Sequence, residues 1–324
     1  MISNQEETIM EENEKIEYTA VIPSEEPTFA PEPPKARMRR TFSRIALGLC
    51  IGFLVSQLVP SVLAFIPDFN IQEHAFLVGS LCTGFFTLPL MLLLTRRLPA
   101  RQPDKNRLSI GAFLALVCIS YACMIVGNLV GIGVNSLLSP NSVNLIGELA
   151  TASGSAPLET ILSFVILAPV FEELVFRKVL VDRVLPYGEW PAILFSGITF
   201  GAFHGNLTQL FYAALLGMVL AYVYIRTGRI LYTIGIHACI NFLGGVLPLL
   251  VPAASYFVML VAVAGIALFF VLKKNIHVEK NAVPGVGCAM FSNAGMILFL
   301  LISAILMALV ALVMNHPELT SGLM

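Results

Sequence analysis

Charge is the scarcest property of this 324-residue chain. Asp, Glu, Lys and Arg make up 12% of it, hydrophobic residues make up 57%, and the mean hydropathy is +0.85. Soluble domains carry roughly twice that charged fraction, so a soluble multidomain protein is excluded. Paired cysteines are also missing. Cys50, Cys82, Cys118, Cys123, Cys239 and Cys288 are scattered, mostly through apolar stretches, with no CxxC. That pattern excludes a zinc ribbon or a disulfide framework and reads as small buried hydrophobes. HExxH, a GxSxG serine elbow and a pair of aspartates within apolar runs are absent too, which weighs against zincin, serine and aspartyl peptidases. No internal repeat of the kind that builds inverted-repeat transporters is evident.

What the chain has instead is long apolar runs. They predict nine spans, at about 42–66, 75–95, 109–135, 159–182, 191–206, 209–226, 230–249, 252–272 and 293–314. A run of about 20 residues at about 1.5 Å each crosses roughly 30 Å of hydrocarbon. The expected fold class is therefore all-α, a polytopic transmembrane helical bundle of about eight to nine spans. Residues 1–34 differ in kind, with nine Glu, one Lys and five Pro. They read as a disordered acidic tail rather than a signal peptide, and a partner-binding arm is the functional alternative. Without that tail the remaining residues carry a net charge of +7, since −1 − (−8) = +7.

Those positive charges alternate with the spans. Lys35, Arg37, Arg39, Arg40 and Arg44 precede the first span, and Arg96, Arg97, Arg101, Lys105 and Arg107 follow the second. Lys178 and Arg183 close the fourth, Arg226 and Arg229 the sixth, and Lys273, Lys274 and Lys280 the eighth, whereas residues 67–74 and 136–160 hold none. Basic residues near span ends mark the cytoplasmic side. The N-terminus is accordingly expected inside and the C-terminus outside, in a plasma membrane.

Within the apolar spans stand Glu172, Glu173 and Arg177 in the fourth, His204 in the fifth, and His237 with Asn241 in the seventh. An ionisable side chain at mid-bilayer costs roughly 2.5–3.5 kcal/mol on insertion scales, so such residues face the bundle interior and have partners. Glu173 and Arg177 are four apart, the favoured order for a helical ion pair. Glu172 points about 100° away and is left for chemistry, a general base in a low-dielectric site. Counting from the cytoplasmic ends puts Glu172, His204 and His237 at roughly 15, 20 and 11 Å depth, compatible with one layer. Gly197, Gly201 and Gly205 form GxxxG steps that bring another helix close to His204. Asn241 is one turn from His237 and suits a water or an imidazole. His74, His277 and His316 fall in expected loops and receive no role.

Three chemistries fit these groups: water activation for hydrolysis, a zinc ion on His204, His237 and Glu172, or a proton relay in a transporter. The residues also resemble a known family. "EELVFR" (Glu172, Glu173, Arg177) matches EExxxR, "FGAFH" (Phe200 to His204) matches FxxxH and "HACIN" (His237 to Asn241) matches HxxxN. In that order they are similar to the CAAX prenyl protease and bacteriocin-processing (CPBP, or Abi) family. The resemblance covers about residues 159–246 and implies a four-helix catalytic core related to the type II CAAX prenyl endopeptidase. Residues 35–158 and 247–324 then form flanking N- and C-terminal spans.

The resemblance further implies that Glu172 activates water, His204 and His237 surround the reacting centre, Asn241 supports the oxyanion, and Glu173 with Arg177 holds geometry beside Phe200. No cofactor is certain, and the family is described both as metal-dependent and as metal-free. The expected partners are the lipid bilayer and a membrane-associated peptide or lipidated protein, with no nucleic acid. A non-catalytic scaffold or immunity protein of the same fold and a proton-coupled transporter are the alternatives. The polar segment 136–160 reads as a tether or a lid.

Overall fold

The computed structural model describes residues 35–138 and 157–315. The acidic tail and most of the 136–160 segment lie outside the described residues, as does His316. Among the described residues the chain is helical and contains no strand. The helices are α1 (Lys35–Leu63), α2 (Ala75–Thr95), α3 (Ile110–Leu138), α4 (157–184), α5 (Glu189–Phe203), α6 (Leu207–Thr227), α7 (Ile230–Leu250), α8 (Ala254–Leu272), the short α9 (Val286–Phe291) and α10 (Ala294–Asn315). Seven of them are long and apolar enough to cross a membrane. The chain is a polytopic helical bundle, a multi-pass membrane protein.

The two predicted spans that fail this test carry two of the three polar motifs, EExxxR and FxxxH, whereas α7, with HxxxN, passes it. α4 has ample length but holds Glu172, Glu173, Arg177 and Lys178 in its second half. α5 has 15 residues, about 22 Å, short of a full crossing. Its predicted end at residue 206 moves back to Phe203, because His204, Gly205 and Asn206 form a turn. Gly205 adopts φ +60°, a left-handed conformation that costs glycine little. Asn206 then caps α6, its Oδ1 accepting the N–H groups of Thr208 and Gln209 at 2.9 and 3.1 Å.

Glycines set how closely these helices approach. A Cβ at Gly201 would lie 2.4 Å from the Leu210 carbonyl oxygen, and one at Gly197 would meet Met218 and Ala214 of α6. Gly205, expected in the same stripe, sits in the turn instead, against Phe53 of α1 and Leu306 of α10. A second close approach, unread in the sequence, joins α3 to α6. Cβ atoms at Gly127 and Gly131 would come within 2.4 Å of Tyr212 Cα and the Thr208 carbonyl oxygen. Because main chain cannot yield as a flexible side chain does, Gly201→Val is expected to cost about 1–3 kcal/mol. Thermal unfolding in detergent reads this directly, and an unchanged midpoint would show that α5 and α6 can separate without penalty.

Candidate active site

α4 is not a uniform α-helix. It widens into π turns at Leu162–Leu167 and Leu174–Val181, on either side of Ala168–Glu173. Pro169 accounts for the first. The N–H of Ala168 donates to the Ser163 carbonyl, which is the π register. In that register the donor due to the Phe164 carbonyl is residue 169, and proline has no N–H. Asn241 of α7 supplies it, its Nδ2 donating to the Phe164 oxygen at 2.7 Å. Asn241 therefore ties α7 to the break in α4, whereas the sequence had suggested a water or an imidazole as its partner.

The motif carboxylates divide as their helical spacing requires. Glu173 and Arg177 are both fully buried and paired, Oε2 to Nε, at 3.1 Å. Arg177 also reaches the Gly217 carbonyl of α6 at 3.4 Å and lies 4.7 Å above the Phe200 ring. One guanidinium thus joins α4, α5 and α6. Phe200, almost fully buried, stands edge-on to Phe176, His204 and His237, with ring centroids 4.9, 4.9 and 5.8 Å away.

Glu173 has a second partner that spacing could not reveal. Its Oε1 accepts from His237 Nδ1 at 2.9 Å, across 64 residues of chain. Since a carboxylate only accepts, Nδ1 carries the proton, and His237 presents Nε2 at 3.7 Å from Glu172 Oε2. His204 is held in the same way. Its Nδ1 donates to the Phe200 carbonyl at 2.8 Å, which leaves its own Nε2 free of that bond. Each imidazole is oriented through one nitrogen and offers the other.

These groups meet in one cavity of about 270 Å³. Glu172, Phe200, His204, His237 and Asn241 all line it, together with Gln209 and Tyr212 of α6. Glu173 and Arg177 stand behind the wall. Gln209 and Tyr212 belong to no motif in the sequence; their signal is a polar pair, three residues apart, in the first turns of α6.

His74, given no role from sequence, pairs with Glu159 at 2.8 Å, joining the start of α2 to the start of α4. It stacks on Phe69 and does not line the cavity. His277 follows α8 outside any helix.

Zinc needs three or four donors within about 2.0–2.3 Å of one point. Glu172 and the two Nε2 atoms have suitable chemistry. As placed, however, no group of three or more His, Cys, Asp or Glu among the described residues could hold a metal ion. The arrangement does not fit a preformed zinc site.

Comparison with known proteins bears on the same segment. Residues 154–243 match the family model described as "Type II CAAX prenyl endopeptidase Rce1-like". The match falls on the segment whose motifs resemble the CPBP family. A curated relative, named "Putative membrane peptidase YdiL", from Bacillus subtilis (strain 168), is 29% identical over 179 residues, 52% of this chain and 70% of the relative. No solved structure matches the chain. The matched segment reaches from α4 into α7 and contains every motif residue that lines the cavity.

Proposed function

We propose that the chain is an intramembrane endopeptidase that hydrolyses a peptide bond in a membrane-associated or lipidated peptide. The observation that carries this reading is the convergence of Glu172 of α4, His204 of the turn after α5, and His237 and Asn241 of α7 on one cavity inside an apolar bundle. Glu172 takes a proton from a water, whose oxygen attacks the carbonyl carbon. The carbon–nitrogen bond then breaks, and the amine leaves with a proton returned by Glu172. His237, held by Glu173 and facing Glu172, orients that carboxylate and its water. His204, edge-on to Phe200, lines the same cavity and faces the reacting centre. Asn241 keeps one amide hydrogen for the oxyanion after bonding Phe164. The basic clusters support an N-terminus in the cytoplasm.

Membrane vesicles prepared with and without the protein test the reading. New peptide termini, read by mass spectrometry, are expected only where the protein is present. Uptake that depends on a pH gradient, with no new termini, would replace the peptidase with a transporter.

A further inference from the structure

The cavity offers more hydrogen-bond acceptors than donors. An ionised Glu172 only accepts. His204 and His237 each spend their Nδ1 proton on a fixed partner and present an Nε2 that accepts in the neutral ring. Asn241 gives one of its two amide hydrogens to Phe164. An oxyanion hole needs donors, commonly two of them, already in place when charge develops on the carbonyl oxygen.

Tyr212 supplies what is missing. Gln209 Nε2 donates to the Tyr212 hydroxyl oxygen at 2.7 Å. That bond fills an acceptor position and leaves the phenolic proton to be donated. Among the described residues the hydroxyl makes no other hydrogen bond. The Tyr212 ring stands edge-on to His204, with centroids 6.5 Å apart, in the wall shared with Glu172 and His237. Its backbone cannot drift, because Gly127 of α3 packs directly on Tyr212 Cα and Asn206 caps the turn that holds Gln209.

We infer that Tyr212 is a further catalytic residue of this cavity, a neutral donor to the oxyanion of peptide hydrolysis, with Gln209 as the residue that positions it. The inference rests on the endopeptidase reading above. In the step concerned, water oxygen bonds to the carbonyl carbon as Glu172 takes the water proton. The carbonyl π electrons move onto oxygen, and the Tyr212 O–H and the remaining Asn241 N–H donate to it without transferring a proton. When the oxyanion collapses, the amine departs with the proton from Glu172, and Tyr212 keeps the bond from Gln209 throughout.

Tyr212→Phe removes the hydroxyl and keeps the ring. With a peptide whose cleavage depends on Glu172, kcat is expected to fall about 10²-fold or more, the usual effect of losing one oxyanion donor. KM should stay within about threefold and the unfolding midpoint should not move, a split that a packing role would not produce. Gln209→Leu is expected to lower kcat by about tenfold alone, yet to add nothing to Tyr212→Phe, because both act through one proton. Wild-type kcat in Tyr212→Phe, in protein where Glu172→Gln abolishes cleavage, would overturn the role of Tyr212 and leave the endopeptidase standing. Equal cleavage by wild type and Glu172→Gln would instead remove the parent reading, and this one with it.

Discussion

Glu172→Gln is expected to leave a folded, membrane-inserted protein whose cleavage rate is lower by about 10²–10⁴-fold, the range for loss of a positioned general base. The amide preserves the shape of the carboxylate and one accepting oxygen, and removes the charge and the basicity. Folding should be spared because Glu172 is not the residue that pairs with Arg177; its near neighbour is His237 Nε2 at 3.7 Å, at the cavity wall. KM should change little, since the water rather than the peptide is what Glu172 holds. Steady-state kinetics in lipid vesicles, with unfolding followed on the same preparations, separates the three quantities. Retained turnover would assign the base to another group and leave Glu172 as a cavity-lining polar residue. A scaffold would keep its phenotype with Gln at this position.

Why Glu172 and not Glu173 carries this prediction was legible in the sequence. The i,i+4 geometry of one helix assigns Glu173 to Arg177, and local spacing suffices for that. The partner of His237 was not legible, because it depends on how α4 and α7 face each other after 64 intervening residues have packed. Asn241 stands between these cases. Its bond to Phe164 follows from a proline in an apolar run, yet only once the π register is known. The end of α5 was overrun for a related reason. Hydropathy counts His-Gly-Asn as a brief polar interruption, whereas a positive-φ glycine followed by a capping asparagine is a stop signal. Tyr212 escaped notice because a tyrosine in an apolar helix is usually ordinary packing. What distinguishes it is a glycine on α3, 85 residues earlier, that lets the two backbones touch.

Arg177→Ala is expected to be the more damaging substitution for the fold, at about 3–5 kcal/mol, because it leaves Glu173 charged in a fully buried site. The loss extends beyond the ion pair. The guanidinium also covers the Phe200 ring and reaches the Gly217 carbonyl, so α4, α5 and α6 lose a shared contact. Unfolding midpoints and the membrane-inserted fraction read the cost, and an unchanged midpoint would end the pairing argument. The compensated variant Arg177→Met with Glu173→Leu is the sharper test. Replacing both charges with apolar side chains of similar size removes the stranded carboxylate and should recover most of the stability. Activity should not return, because His237 Nδ1 then has no acceptor and the imidazole loses the bond that aims Nε2 at Glu172. Restored stability with lost turnover would assign the buried pair a positioning role. Recovery of both would make it structural alone, and would leave His237 oriented by Phe200 and its remaining neighbours.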